Sequence, residues 1–316
     1  MLGLGNNCRL SSVGEPLMTE YTMTNSILFD GSDDQVTLGV NTNAPADDTI
    51  KPINGGLSIA IWVKLDPDSL TDEANGPYGN NGRYEILDAT VNGGFSMFFS
   101  NGRFSCGVSL KDGDGNIQNL SPLMGHRIAA IQTGSQTRYL YKTSGWHFLV
   151  MTWDGNKVFK VHIDGGTNQQ GTGVTFGSDV LTHTADDPSG NNALGENKWF
   201  INYDTNSNRH LSDIFIGHSE TSGNPWEGYI GDFAIWNSTL TNTEIETLYN
   251  LHTPVDMSTT QPTKQQGYWR TNAGTGTSIV DVTGNVGASA TLVNGPTWST
   301  ETPPGDEEKI LEGNYV

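Results

Sequence analysis

Leu57-Ser58-Ile59-Ala60-Ile61-Trp62-Val63-Lys64-Leu65 carries the strongest secondary-structure signal in the chain. Every second position, from 57 to 65, holds an apolar residue. Side chains alternate between two faces along a β-strand, so these apolar residues share one face. The stretch therefore predicts a strand that packs one face against a core.

The same alternation appears further along the chain. It recurs in two groups of apolar residues: Phe95, Met97 and Phe99, then Phe104, Cys106, Val108 and Leu110. Asn101-Gly102 separates these two groups, and Asp154-Gly155-Asn156 separates residues 146–153 from residues 157–163. Asn-Gly and Asp-Gly tolerate the positive φ of tight hairpins. Strands joined by such turns predict an all-β fold, an antiparallel two-sheet β-sandwich (jelly roll).

One short helix is expected near the C-terminal side of the sandwich. Thr241 and Glu244 have the spacing of a capping box, and Ile245, Leu248 and Tyr249 follow at helical spacing. The helix should lie against the sandwich.

Composition narrows the classes of partner. Sixteen basic and 35 acidic residues give a net charge of −19, which disfavours binding to nucleic acid.

The two cysteines, Cys8 and Cys106, provide no disulfide framework, and Cys106 is expected to be a buried free thiol. No run approaches the roughly 20 apolar residues of a membrane span. Residues 1–16 lack the charged and apolar regions of a secretory signal, so synthesis in the cytoplasm is expected.

Polar loops are expected at residues 41–54, 66–83 and 177–210, and the third is the candidate binding loop. At about 30 residues it exceeds the usual length of an unstructured connection. It carries Trp199, Phe200 and Tyr203. These aromatic side chains either stack on a sugar ring or pin the loop to the protein body.

Asp112, Asp114 and Asn116 are the candidate metal ligands. Oxygen ligands at alternate positions resemble the first half of a calcium-binding loop. However, the sixth position is Ile117 and the twelfth is Leu123, where such loops have Gly and Glu. The alternative is a Gly-rich hairpin tip, in which Asp and Asn favour the turn. Asp33 and Asp34 have the same two interpretations.

Four segments, in this order, resemble the laminin-G-like branch of the concanavalin-A-like lectin/glucanase superfamily. They are residues 26–38 (SILFDGSDDQVTL), 57–64 (LSIAIWVK), 145–165 (GWHFLVMTWDGNKVFKVHIDG) and 216–250 (IGHSETSGNPWEGYIGDFAIWNSTLTNTEIETLYN). A fifth, residues 268–298, is similar to the stretch that normally precedes the first of them. It either completes its own sandwich, as in a circular permutation, or adds to the sheet of a neighbouring subunit.

The resemblance implies a division of the chain and a set of functions. Residues 1–24 would be an N-terminal arm, 25–253 the sandwich, 254–300 the permuted segment and 301–316 an acidic tail. The permuted order and the absent export signal are similar to laminin-G-like proteins of marine bacteriophage particles. The resemblance implies a non-enzymatic virion surface protein, a capsid decoration or tail-fibre component, with other virion proteins, copies of itself and host glycans as partners. The alternatives are a carbohydrate-binding module of a non-viral protein and a glucanase.

Catalytic residues are not expected. The enzymes that the chain resembles carry a Glu-x-Asp-x-x-Glu strand, which is missing from this sequence. Strict alternation places Glu85 and Asp88 on opposite faces of their strand, so no carboxylate pair is predicted. His147 and His162 lie on the two arms of one hairpin and could approach each other, although ordinary strand packing is the favoured interpretation. No cofactor is required by any motif, and Ca²⁺ is the one ion considered.

Overall fold

The structure is a computed structural model. It describes residues 21–38, 56–66, 83–89, 94–100, 103–111, 117–120, 131–133, 136–138, 145–154, 158–166, 180–184, 200–201, 214–219, 225–250, 253–285 and 289–303.

Sheet A is an antiparallel sheet that contains residues 57–65. Its described strands run, in spatial order, β12 (Val180–Thr184), β11 (Val158–Ile163), β10 (His147–Trp153), β3 (Leu57–Leu65), β15 (Glu227–Trp236), β1 (Ser26–Asp30) and β19 (Thr297–Ser299). A further strand, β16 (Gln265–Trp269), pairs with the second half of β15.

Sheet B is the second antiparallel sheet. Its described strands run β13 (Phe200–Ile201), β6 (Arg103–Lys111), β5 (Gly94–Ser100), β4 (Arg83–Ala89), β14 (Phe215–Ile216), β2 (Gln35–Leu38), β18 (Ala290–Val293) and β17 (Ser278–Ile279), and β7 (Ile117–Leu120) pairs with β6. A separate two-stranded ribbon consists of β8 (Ile131–Thr133) and β9 (Gln136–Arg138). The expected fold class, an antiparallel two-sheet sandwich, is confirmed.

The main core lies between the two sheets. The five alternate apolar residues of β3 are at most 1% exposed and belong to this core, as predicted. Sheet B contributes Phe95, Met97 and Phe99 from β5, again as predicted, and Cys106 from β6. Cys106 is a buried free thiol, and burial raises the pKa of its thiol above the usual value. The Asn101-Gly102 hairpin is also confirmed, because Ser100 and Arg103 are register partners.

Sheet A is buried on its outer face as well. Trp62, on the second face of β3, is fully buried, with ring centroids 4.9 Å from Phe148 and 6.3 Å from Tyr249. Tyr249 lies on helix α1 (Asn242–Tyr249), which therefore forms a third layer over sheet A. Burial on both faces explains why β3 has so little polar surface.

Helix α1 begins as predicted. The Thr241 side chain accepts a hydrogen bond from the Glu244 backbone N–H, and the Glu244 carboxylate accepts one from the Thr241 N–H. Ile245, Leu248 and Tyr249 form its buried face. The capping box satisfies two N–H groups that the helix itself leaves free.

Residues 265–299 pair with strands of their own chain. β16 joins β15, β18 joins β2, and β19 joins β1. Residues 281–285 cover the remaining edge of β16: the Asp281 carboxylate accepts from the Tyr268 N–H at 2.9 Å, and the Val282 N–H donates to the Tyr268 carbonyl at 2.8 Å. This segment therefore supplies strands to both sheets and protects one of the strand edges it creates.

The expectation of one irregular loop over residues 177–210 is wrong at two places. β12 extends sheet A by pairing with β11, and β13 extends sheet B by pairing with β6. Backbone pairing with existing strand edges satisfies these N–H and C=O groups, although the polar composition of the stretch suggested a loop. The expected loops at 41–54 and 67–82 lie outside the described residues.

Candidate functional site

A β-bulge in β4 brings two carboxylates to one face of sheet B. The register of β4 on β5 shifts between Glu85 and Leu87, so that Glu85 faces Phe98 and Asp88 faces Ser96. Phe98 and Ser96 are two residues apart on β5 and share a face, and their partners share it too. The prediction that Glu85 and Asp88 lie on opposite faces is therefore wrong.

This face points away from the core between the sheets. The side chains of Phe95, Met97 and Phe99 occupy the core, so Ser96 and Phe98 lie on the outer face of β5. Glu85 and Asp88 accompany them there, opposite two residues of β5 whose Cα atoms are about 7 Å apart along a regular strand. We refer to the face defined by Glu85, Asp88, Ser96 and Phe98 as the outer face of sheet B.

The outer face of sheet B is polar and buried at its centre. Glu85 and Asp88 are each 1% exposed, and Ser96 is also 1% exposed. Ser219, which follows β14, donates from Oγ to Asp88 Oδ2 over 2.6 Å. Carboxylates are costly to bury, and hydrogen bonds from hydroxyl groups offset part of that cost. Phe98 is 2% exposed as well, so the four residues that define this face are closed to solvent.

The sequence contains a signal for the bulge that strict alternation overlooks. Ile86 and Leu87 are consecutive apolar residues, and both lie in the core between the sheets. Two neighbouring residues of a regular strand point to opposite faces, so both can face one core only where the strand contains a bulge.

The two predicted site segments meet at one end of sheet B. Lys111, the last residue of β6, is the register partner of Phe200 in β13 and of Ile117 in β7. The chain therefore enters β13 and leaves β6 at the same end of the sheet. The β6–β7 pairing matches the hairpin that the alternative interpretation of the metal motif expected. The side chain of Phe200 and the residues Trp199, Tyr203, Asp112, Asp114 and Asn116 lie outside what the structure describes.

Three carboxylates cluster at the turn between β1 and β2. Ligand oxygens of Asp30, Asp33 and Asp34 lie within 4.8 Å of one another. Asp34 is 3% exposed, and burial raises the pKa of its carboxyl, opposed by a 2.9 Å hydrogen bond from the Asp30 N–H and reinforced by the charges of Asp30 and Asp33. Carboxylate oxygens suit a hard cation such as Ca²⁺. The same groups also build the turn, since the Ser32 N–H donates to Asp30 Oδ1 at 2.8 Å.

His147 and His162 do not form a pair. His162 faces Val150 across the hairpin and shares the outer side of sheet A, whereas His147 has the parity of Leu149 on the inner side. His147 Nδ1 lies 2.7 Å from Asp164 Oδ2, and Asp164 also accepts from the Phe148 N–H at 3.0 Å. The favoured interpretation, ordinary strand packing, agrees with this placement.

Comparison with known proteins gives structural likenesses but no family. No protein-family model and no curated protein matches the chain. A protein from Bacteroides ovatus proposed to bind carbohydrate is 11% identical with a TM-score of 0.46, covering 90% of this chain and 62% of that one. The ligand-binding domain of botulinum neurotoxin serotype D, solved with N-acetylneuraminic acid, is 18% identical with a TM-score of 0.42, covering 72% and 42%. The serotype G binding domain is 15% identical with a TM-score of 0.41, covering 72% and 46%.

These likenesses carry no argument about function. All three TM-scores are below 0.5, and the chain spans less than two thirds of each matched chain. In the described part of the chain, no helix is long and apolar enough to cross a membrane.

Proposed function

We propose that this chain is a non-enzymatic, lectin-like carbohydrate-binding β-sandwich whose binding site lies at the end of sheet B where β13 meets the β6–β7 hairpin. One observation carries the proposal: Lys111 is the register partner both of Phe200 in β13 and of Ile117 in β7, so the two predicted site segments adjoin the same end of the sheet. Sites that recognise polar ligands combine a few fixed polar groups with aromatic surface.

The residue types of these two segments, aromatic in one and acidic in the other, suit a sugar. Sugar hydroxyls donate hydrogen bonds, and ionised carboxylates accept them more strongly than neutral groups do. Aromatic rings pack against the apolar C–H surface of a sugar ring. Trp199, Phe200 and Tyr203 are the proposed stacking residues, because β13 attaches their segment to the end of sheet B.

A glycan array with matched variants tests this proposal. We expect wild-type protein to bind a defined subset of glycans, and Trp199→Ala to lose that binding at least tenfold. Trp298→Ala is the matched control, because Trp298 lies on β19 at an edge of sheet A, and this variant should bind normally. An array without wild-type binding, with and without calcium, would reject the proposal.

Calcium is proposed as an optional ion rather than a required cofactor. Asp112, Asp114 and Asn116 are the proposed ligands, by their alternate spacing. Calorimetric titration with CaCl₂ should show binding that Asp112→Asn abolishes and Asp33→Asn leaves intact. Binding lost only in Asp33→Asn would move the site to the turn between β1 and β2.

The proposed setting is the surface of a bacteriophage particle, in a capsid decoration or tail fibre. Its support is the order of the segments: residues 265–299 follow helix α1 in the chain and still complete both sheets. Such a protein would be made in the host cytoplasm and would contact other virion proteins and host glycans. Mass spectrometry of purified particles tests this setting, and absence of the chain from the particles of its own phage would reject it.

A glycoside hydrolase is the alternative function. The bulge in β4 brings Glu85 and Asp88 to one face of sheet B, but each is only 1% exposed, which argues against their acting on a polysaccharide. Retaining glycosidases hold their two carboxyl groups about 5 Å apart, and inverting enzymes hold them further apart. Incubation with dye-labelled polysaccharides distinguishes the two functions. We expect no product from wild-type protein; hydrolysis that Glu85→Gln abolishes would make the chain an enzyme.

A further inference from the structure

Residues 21–25, the N-terminal strap, cross the outer side of sheet A in an extended conformation. Met23 is buried, Tyr21 and Asn25 are half-buried, and Thr22 and Thr24 are exposed. This alternation is that of a strand, yet the strap is not part of either sheet. Side chains of the protein body hold it instead.

Asn272 clamps the backbone of the strap. Its Nδ2 donates to the Thr22 carbonyl at 3.0 Å, and its Oδ1 accepts from the Thr24 N–H at 2.9 Å. One side-chain amide thus satisfies the two backbone groups that a neighbouring strand would otherwise pair. Main-chain hydrogen bonds of this kind recognise an extended peptide whatever its side chains.

Met23 fills a seat made by a bulge in β15. The register of β15 on β3 shifts between Ile230 and Phe233. A Cβ atom at Gly231 would lie 2.8 Å from Met23 Cε and 3.1 Å from Trp62 Cβ, so a larger residue there would displace the end of the methionine. The Asp232 N–H donates to Met23 Sδ over 3.4 Å. The seat therefore fits the methionine side chain closely.

Tyr21 is held by a buried carboxylate. Asp232 is fully buried and accepts hydrogen bonds from the Tyr21 hydroxyl, from the Tyr268 hydroxyl at 3.0 Å and from the Thr271 N–H at 2.8 Å. The Arg270 guanidinium lies 4.9 Å from the Tyr21 ring centroid and 5.1 Å from the Tyr268 ring centroid. Arg270 is itself held in place by an ion pair with Asp256, so the cation contacts both tyrosine rings from a fixed position.

We infer that this groove is a peptide-docking site and that it also accepts the strap of a second copy of the chain. The polar contacts that it makes with residues 21–24 join positions 209 to 250 residues apart in sequence, so they do not depend on which chain supplies the strap. The strap itself carries no formal charge, so its own contacts with the groove are not opposed by the net charge of −19 on each chain. Exchange of an identical element between protomers is a low-cost route to a dimer. The inference does not rest on glycan binding.

Movement of the strap is confined to its junction with β1. The Asn25 carbonyl accepts from Thr271 Oγ1 at 2.7 Å, and Asn25 Nδ2 donates to the Ser299 carbonyl at 3.3 Å. β1 follows directly and pairs on both sides, with β15 and β19. A strap that swings out about this junction frees the groove for the strap of a neighbour.

Complementation between two full-length variants tests the inference. Met23→Asp spoils the strap and leaves the groove intact, whereas Asn272→Leu removes the clamp and leaves the strap intact. Each variant alone should elute as a monomer of 34.1 kDa in size-exclusion chromatography with light scattering. An equimolar mixture at high concentration should yield a species of twice that mass, because one intact strap can meet one intact groove.

Two measurements keep the test decisive. Gly231→Val, which fills the Met23 seat, replaces Asn272→Leu should that variant be misfolded by circular dichroism. Wild-type protein should form the same dimer in a concentration-dependent manner. A mixture that remains monomeric at every concentration would overturn the inference and would restrict the strap to its own chain.

Discussion

Two tyrosines in the strap groove should make the protein lose stability in alkaline solution. Burial raises the pKa of Tyr21 and of Tyr268 above the usual value near 10, and the charge of Asp232 raises both further. The folded protein therefore keeps both protons where the unfolded chain releases them. A group with a raised pKa contributes stability that is fully present below its unfolded pKa and is lost as pH rises.

The size of the effect follows from proton linkage. Above pH 10 the free energy of unfolding should fall by about 1.4 kcal/mol per pH unit for each tyrosine. At pH 12 one such tyrosine therefore lowers the free energy of unfolding by about 2.7 kcal/mol relative to its value at pH 8, and the pair lowers it by about twice as much. This is a large share of the 5–15 kcal/mol typical of folded domains, so it should be easy to measure.

Urea unfolding monitored by circular dichroism between pH 8 and pH 12 provides the assay. The Tyr21→Phe variant loses a hydrogen bond to Asp232, so it starts from a lower stability at pH 8. Its decline above pH 10 should nevertheless be shallower than that of wild-type protein, by about 1.4 kcal/mol per pH unit. Thr22→Ala alters an exposed strap residue without a titrating group and should decline in parallel with wild type. Parallel profiles for wild type and Tyr21→Phe would refute the reasoning.

Three further variants probe the fold. Trp62→Ala removes a fully buried side chain from the outer side of sheet A and should lower the free energy of unfolding in urea by about 3–5 kcal/mol. A loss below about 1 kcal/mol would mean that Trp62 is not central to the packing there. Thr241→Ala breaks the capping box with Glu244 and should cost about 1 kcal/mol, seen as a lower midpoint of thermal unfolding. Gly228→Ala places a Cβ 2.3 Å from the Lys64 carbonyl at a φ of +136°, so we expect poor yield of folded protein, and wild-type stability would contradict that geometry.

Local patterns predicted the parts of this protein that depend on local geometry. The core face of β3 follows from alternation, the β5–β6 hairpin from Asn101-Gly102, and the start of helix α1 from Thr241 and Glu244. Each depends on residues a few positions apart, whose steric and hydrogen-bonding preferences act in any tertiary context.

The candidate site was predicted less well, because bulges break the alternation on which the prediction rests. One extra residue in β4 reverses the relation between Glu85 and Asp88. The consecutive apolar residues Ile86 and Leu87 indicate that bulge. However, consecutive apolar residues also occur in strands that are buried on both faces, as in β3. The pattern alone does not separate these two cases.

The core face of β3 and β5, the β5–β6 hairpin and the start of helix α1 could be predicted from sequence patterns alone. The register shifts in β4 and β15, the pairing of residues 265–299 within their own chain and the burial of Asp232 beneath the strap became visible only in the folded chain. The difference lies in the sequence distance between the interacting residues. Alternation and capping depend on residues that are close together in sequence, whereas a bulge or a buried carboxylate is stable only through partners far away in the chain. The Tyr21–Asp232 hydrogen bond, for example, spans 211 residues.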